Sequence, residues 1–137
     1  MRVLPFEDPD PSFVPLAGRR ALDRAGLKLS LRAWQSLSMP ARAMIARLGQ
    51  EDEVDVERVR SLLEGAEPAP EPIAPLDDPP SDAPPAEVRA ALGPARPLSD
   101  EAWRALGSLG RYVLASYARR GRAEKLAAAY DSLVSRS

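Results

Sequence analysis

Apolar residues recur along the chain three or four positions apart, which is the spacing of a helix. One such stripe consists of Ala41, Met44, Ile45 and Leu48 and predicts an amphipathic helix with one buried face. A closing helix is predicted from about Ala123, and its apolar positions are Leu126, Ala127, Tyr130, Leu133 and Val134. No segment alternates apolar and polar residues as a half-buried strand does. The pattern predicts an all-α fold.

Serines and glycines place the predicted helix ends. Ser30, Ser38, Ser99 and Ser108 precede apolar stripes, where a serine hydroxyl can accept a hydrogen bond from a free backbone N–H. Glycine favours the left-handed conformation that ends many helices. The first helix is predicted to begin at Phe13 or Val14, with Pro15 in its first turn, and to end at Gly26. The second is predicted from Ser30 to Leu37, with Leu31, Trp34 and Leu37 buried. The remaining helices are predicted from Ser38 to Gly49, over 54–64, over 84–92, from Ser99 to Leu106, from Ser108 to Tyr117, and from Ala123 onward.

The segment 29–46 is repeated 69 positions later as 98–115. Seven positions are identical between the two copies, and they include both tryptophans of the chain. The identical pairs are Leu29/Leu98, Ser30/Ser99, Ala33/Ala102, Trp34/Trp103, Leu37/Leu106, Arg42/Arg111 and Ala46/Ala115. An internal repeat of this length indicates a duplicated structural unit. We therefore predict two similar three-helix half-units followed by the C-terminal helix.

A proline-rich acidic segment separates the two copies. Residues 66–85 hold eight of the fifteen prolines and five acids but no Lys or Arg. Frequent proline blocks helices and favours extended polyproline II structure. The predicted organisation is a first repeat unit over 1–65, a linker over 66–83 with Ile73 and Leu76 as its apolar anchors, and a second unit over 84–137. A ligand for a proline-binding module is the alternative interpretation of the linker.

The repeated tryptophans and arginines are predicted to have structural roles. A helix of about eight residues is unstable alone, and a buried tryptophan supplies much of the apolar area that stabilises it. Trp34 and Trp103 are therefore interpreted as core anchors, with a surface stacking role as the alternative. Arg42 and Arg111 follow each tryptophan by eight residues. Their guanidinium groups are predicted to reach carbonyls at a neighbouring helix C-terminus.

Composition argues against catalysis. The chain contains no cysteine and no histidine, which removes thiol nucleophiles, imidazole bases and the usual zinc, haem and iron–sulfur ligands. Glu64, Asp77 and Tyr112 could take part in acid–base chemistry, but nothing pairs a nucleophile with a base. We predict a protein that is not an enzyme and has no cofactor and no metal.

The N-terminus lacks the apolar run of a signal peptide, and no stretch is apolar over enough residues for a membrane span. A cytoplasmic location is therefore predicted.

Charge is segregated along the chain although the net charge is only −1. Residues 1–50 carry a charge of +4, residues 51–101 carry −10 and residues 102–137 carry +5. The acidic middle could simply neutralise the basic ends within one body. Alternatively, a basic end docks an acidic partner. The candidate docking residues, placed on the polar sides of their helices, are Arg19, Arg20, Arg24, Arg119, Arg120 and Arg122.

Both halves resemble a known family. The run from Phe13 through Gly26 to Trp34 and the later run from Leu98 through Trp103 to Tyr112 resemble the nitrate reductase associated protein family. The resemblance implies an accessory or maturation factor whose protein partner is assimilatory nitrate reductase. Nucleic-acid binding is the alternative, since short paired helices and the basic residues Arg119, Arg120, Arg122 and Lys125 suit it. The isoelectric point of about 5.6 argues against that alternative. The sequence leaves the oligomeric state open.

Overall fold

The computed structural model describes residues 13–134, and helices dominate that range. The predicted all-α class is confirmed apart from one ladder of two short strands. The helices are α1 Leu16–Ala25, α2 Leu31–Ser36, α3 Met39–Leu48, α4 Val56–Leu62, α5 Ala86–Leu92, α6 Asp100–Ala105, α7 Gly107–Arg119 and α8 Ala123–Leu133, and the strands are β1 Leu27–Lys28 and β2 Glu71–Pro72. The chain divides after Asp77 into two compact units, called unit 1 and unit 2. The first twelve residues of the predicted unit 1–65 and the last three of 84–137 lie outside the described range.

Local capping chemistry sets the helix ends of unit 1. Helix α1 begins after Pro15, so this proline precedes the first turn instead of lying in it, and the helix ends at Gly26 with φ +73°. The Ser30 hydroxyl accepts a hydrogen bond from the backbone N–H of Ala33, and the Ser38 hydroxyl accepts one from that of Ala41. Both serine caps predicted in this unit are thus confirmed.

The core of unit 1 forms around Trp34, whose side chain is fully buried. Helix α1 packs against α3 and α4, and α3 packs against α4. Leu31 was expected to be buried with Trp34, but it is 45% exposed. Leu31 is the first residue of α2, so it lies at the end of the helix, about one turn away from Trp34. The core residues are Val14, Ala21, Leu22, Ala25, Ala33, Trp34, Leu37, Ile45, Val59, Leu63 and Ala66.

Unit 2 consists of the four helices α5 to α8. Helix α5 packs against α7 and α8, and α7 packs against α8. The Ser99 hydroxyl caps α6 by accepting from the backbone N–H of Ala102, as predicted. The predicted cap at Ser108 is wrong, because α7 already begins at Gly107. Gly107 has φ +76°, which reverses the chain directly after α6 and places Ser108 inside α7.

The proline-rich segment is ordered and contacts both units through its backbone. Strand β2 pairs antiparallel with β1, the N–H of Ile73 donates to the carbonyl of Gly26 at 2.9 Å, and that of Leu76 donates to Asp23 at 2.9 Å. Further on, Pro80 accepts a hydrogen bond from the indole N–H of Trp103 at 2.8 Å. The side chains of Ile73 and Leu76 are 37% and 48% exposed. Backbone hydrogen bonds, and not these two side chains, therefore attach the segment.

Candidate partner-binding surface

Arg20 was predicted as an exposed docking residue, and that prediction is wrong. Its side chain is fully buried between α1 and the loop that follows α3. The guanidinium donates to the backbone carbonyls of Gly49 at 2.8 Å, Glu51 at 2.5 Å and Asp52 at 2.9 Å. Carbonyls just after a helix lack partners within that helix, and Arg20 supplies those partners. Arg20 thus holds a turn and offers no charge to a partner.

Arg24 is also engaged within unit 1. Its guanidinium pairs with the Asp77 carboxylate at 3.0 Å and donates to the carbonyl of Leu76 at 3.1 Å. These contacts attach the middle of the proline-rich segment to α1. Of the three candidates on α1, Arg19 is the one whose side chain is exposed. The predicted basic surface of unit 1 is therefore reduced to a single arginine.

The three candidates of unit 2 are all exposed and lie around one turn. Arg119 ends α7, Arg120 is its C-terminal capping residue and Arg122 precedes α8. We call Arg119, Arg120 and Arg122 the basic corner. Within residues 13–134 none of the three side chains forms an ion pair, in contrast to Arg24, Arg60, Arg89 and Arg96. The basic corner therefore presents charges that the described part of the chain does not neutralise.

A Schellman motif fixes the backbone of the basic corner. The N–H of Gly121 donates to the carbonyl of Ala118 at 3.2 Å, and the N–H of Arg122 donates to that of Tyr117 at 2.9 Å. Gly121 has φ +67°, a conformation that costs a glycine little. Two turn hydrogen bonds and a glycine thus hold the three arginine backbones in one arrangement.

Tyr117 lies next to the basic corner and stays neutral at physiological pH. Burial raises the pKa of its hydroxyl above the ordinary value of 10.0, while the charges of Arg120 and Arg122 oppose that shift. Because the raised pKa lies above physiological pH, the hydroxyl carries no negative charge there. Tyr117 therefore does not neutralise the basic corner.

The corresponding turn in unit 1 carries the opposite charge. The loop from α3 to α4 occupies the same place in the order of elements as the turn from α7 to α8, and its exposed residues include Glu51, Asp52 and Glu53. The two turns thus hold the same position in the order of helices, but one carries acids and the other carries arginines. Folding of this helix pair does not by itself require arginines at the turn.

The repeated tryptophans and arginines all make contacts within their own units. Trp34 and Trp103 are both fully buried, and each is the fourth residue of a six-residue helix. Arg42 donates to the carbonyl of Leu37 at the end of α2, and Arg111 donates to that of Arg104 near the end of α6 at 3.0 Å. These four side chains connect short helices to their neighbours and have structural roles within their units.

Sequence periodicity contained a signal for Arg20 that was missed. Arg20 follows the buried residues Leu16 and Ala17 by four and three positions, so it occupies the apolar stripe of α1. A charged residue in that stripe indicates a buried, hydrogen-bonded side chain. The loop that receives it lies about thirty residues further along the chain, and no local pattern identifies that loop.

Residues 13–134 contain no group of three or more His, Cys, Asp or Glu side chains placed to hold a metal ion. None of the helices in this part of the chain is long and apolar enough to cross a membrane.

Fold and surface together define a small, mainly helical protein of two four-helix units with an exposed basic corner. The chain belongs to the conserved nitrate reductase-associated protein family, whose sequence profile matches residues 9–130. This match confirms the resemblance seen in the sequence. No curated protein and no solved structure matches the chain.

Proposed function

We propose that this protein is a non-catalytic accessory protein that binds nitrate reductase through the basic corner of unit 2. The family is named for an association with nitrate reductase, which suggests the partner. The observation that carries the docking surface is the fixed turn with three exposed arginines and no ion pair within the described residues. The proposal includes the cytoplasmic location predicted from the sequence.

The charge arrangement supports association more than it supports catalysis. Exposed charges on a protein surface mainly raise the rate of encounter with a partner of opposite charge and select against wrong partners. The basic corner consists of three arginines and has no nucleophile or base among its residues. The chain also has no histidine or cysteine. A binding role accounts for the exposed charge and the fixed backbone of this turn. A catalytic role would also need a nucleophile or a base beside the arginines.

We also propose that the two units arose by duplication and then diverged at the turn. Ser30 and Ser99 cap equivalent short helices, and Trp34 and Trp103 occupy equivalent positions in them. In each unit the first helix packs on the third and fourth. The change of charge between the acidic loop of unit 1 and the basic corner of unit 2 then marks where the copies took on different roles.

Association with nitrate reductase is tested by mixing the two purified proteins at low ionic strength and measuring complex mass by size-exclusion chromatography with light scattering. We expect co-elution that weakens as salt is added, because salt screens exposed charges over about 8 Å at physiological ionic strength. Separate elution at every salt concentration would contradict the proposal. Co-purification of this protein with DNA, with no nitrate reductase complex, would favour the nucleic-acid alternative.

A further inference from the structure

We propose that the basic corner recognises a run of adjacent carboxylates, that is, a short acidic segment of its protein partner. This inference rests on the proposed binding function and specifies the chemistry of the surface that the corner contacts. Three arginines lie within four consecutive positions of one turn. A guanidinium group binds a carboxylate through two parallel hydrogen bonds, so the corner offers three such sites close together.

The spacing of the arginines favours adjacent acids over scattered ones. A single exposed ion pair stabilises a complex very little, because water screens it and both side chains lose conformational freedom. Several pairs formed at one place give a larger effect, since the second and third carboxylates arrive already held near their arginines. The Schellman hydrogen bonds of Gly121 and Arg122 keep the three backbone positions fixed. The backbone of the basic corner therefore loses little conformational entropy when the acidic segment binds.

The same features disfavour a nucleic acid as the ligand. A nucleic-acid surface follows the phosphate backbone with a basic stripe, and affinity grows with the number of phosphates contacted. Here the three arginines of the basic corner lie within one turn, and the described chain carries acids on both sides of it in sequence, at Asp100, Glu101, Glu124 and Asp131. A compact cluster among acids suits a short anionic segment better than a long polyanion.

The test uses two labelled peptides with blocked ends and the same composition. One has four consecutive Glu residues within Gly and Ser, and the other has four Glu residues separated from one another by Gly and Ser. Fluorescence anisotropy with the full-length chain gives each Kd at low salt. We expect the consecutive peptide to bind about tenfold more tightly than the dispersed one, in line with the size of couplings between close charge pairs.

Paired variants locate the effect on the chain. Arg119→Gln with Arg122→Gln should remove the preference for the consecutive peptide. Arg47→Gln with Arg58→Gln removes two exposed arginines of unit 1 and should leave the preference unchanged. Equal Kd values for the two peptides with the wild-type chain would overturn the inference. So would tighter binding of a single-stranded oligonucleotide with the same number of charges.

The peptide experiment and the nitrate reductase experiment test two different proposals, and either one can fail without the other. If nitrate reductase binds but the two peptides bind equally, the accessory function stands and the carboxylate-run inference is wrong. If the consecutive peptide is preferred through the basic corner but nitrate reductase does not bind, the inference stands and the partner is a different acidic protein.

Discussion

Replacing Trp34 or Trp103 with alanine is expected to lower the free energy of unfolding by about 3–5 kcal/mol, the usual cost of removing a large buried aromatic side chain. Both side chains are fully buried, and each anchors a six-residue helix that has little stability of its own. Trp103→Ala also leaves the carbonyl of Pro80 without its indole donor. Since small domains are stable by about 5–15 kcal/mol, either variant should lose a large part of its helical signal at moderate urea, as measured by circular dichroism.

Leu31→Ala is the control for the tryptophan variants, because Leu31 lies in the same short helix as Trp34 but is 45% exposed. It should shift the free energy of unfolding by less than about 1 kcal/mol. Trp103→Phe keeps most of the apolar volume and removes the indole hydrogen bond, so it should fall between wild type and Trp103→Ala. If Trp34→Ala and Trp103→Ala unfold at the wild-type urea midpoint, the tryptophans are not core anchors.

Replacing Arg20 with methionine is expected to destabilise the protein by about 3 kcal/mol, because it leaves three buried or partly buried backbone carbonyls without a charged donor. The carbonyls of Gly49, Glu51 and Asp52 all accept from Arg20, and methionine retains the length of the side chain without its hydrogen bonds. Arg20→Lys should also be destabilising, since one ammonium group cannot reproduce the planar fork of a guanidinium. Urea unfolding followed by circular dichroism measures both effects.

Arg19→Met provides the matched control, since Arg19 is the adjacent residue of the same helix and is exposed. Its effect should stay within about 0.5 kcal/mol, as for most surface substitutions. If Arg20→Met were as stable as Arg19→Met, then Arg20 would not hold the loop after α3, and its removal from the candidate docking residues would have to be reversed.

Features encoded by neighbouring residues could be predicted from the sequence. The serine caps at Ser30, Ser38 and Ser99 depend on residues three positions away. The helical stripes likewise depend on spacing within a single element. The start of α7 was missed by one residue because Gly107 can reverse the chain immediately after α6, which removes the need for a cap at Ser108.

Features that depend on residues far apart in sequence could not be predicted in this way. Arg24 finds its carboxylate 53 positions later at Asp77, and a two-residue strand is too short to show alternation before it pairs. The sequence offered no ground for preferring any of the six candidate docking arginines over the others, because all six carry the same charge. Only the folded structure shows that Arg20 is buried and Arg24 is paired while the basic corner is exposed.

We propose that the basic corner is the surface that binds nitrate reductase. The most direct measurement is the Kd for purified nitrate reductase at low salt, obtained by isothermal titration calorimetry with two charge-reversed variants. Arg119→Glu with Arg122→Glu reverses the corner, whereas Arg47→Glu with Arg58→Glu makes the same change in net charge in unit 1. We expect the corner variant to bind at least about tenfold more weakly than wild type and to lose most of its salt dependence, while the unit 1 variant binds nearly as wild type does. Equal weakening by both variants, or no weakening by the corner variant, would contradict the claim.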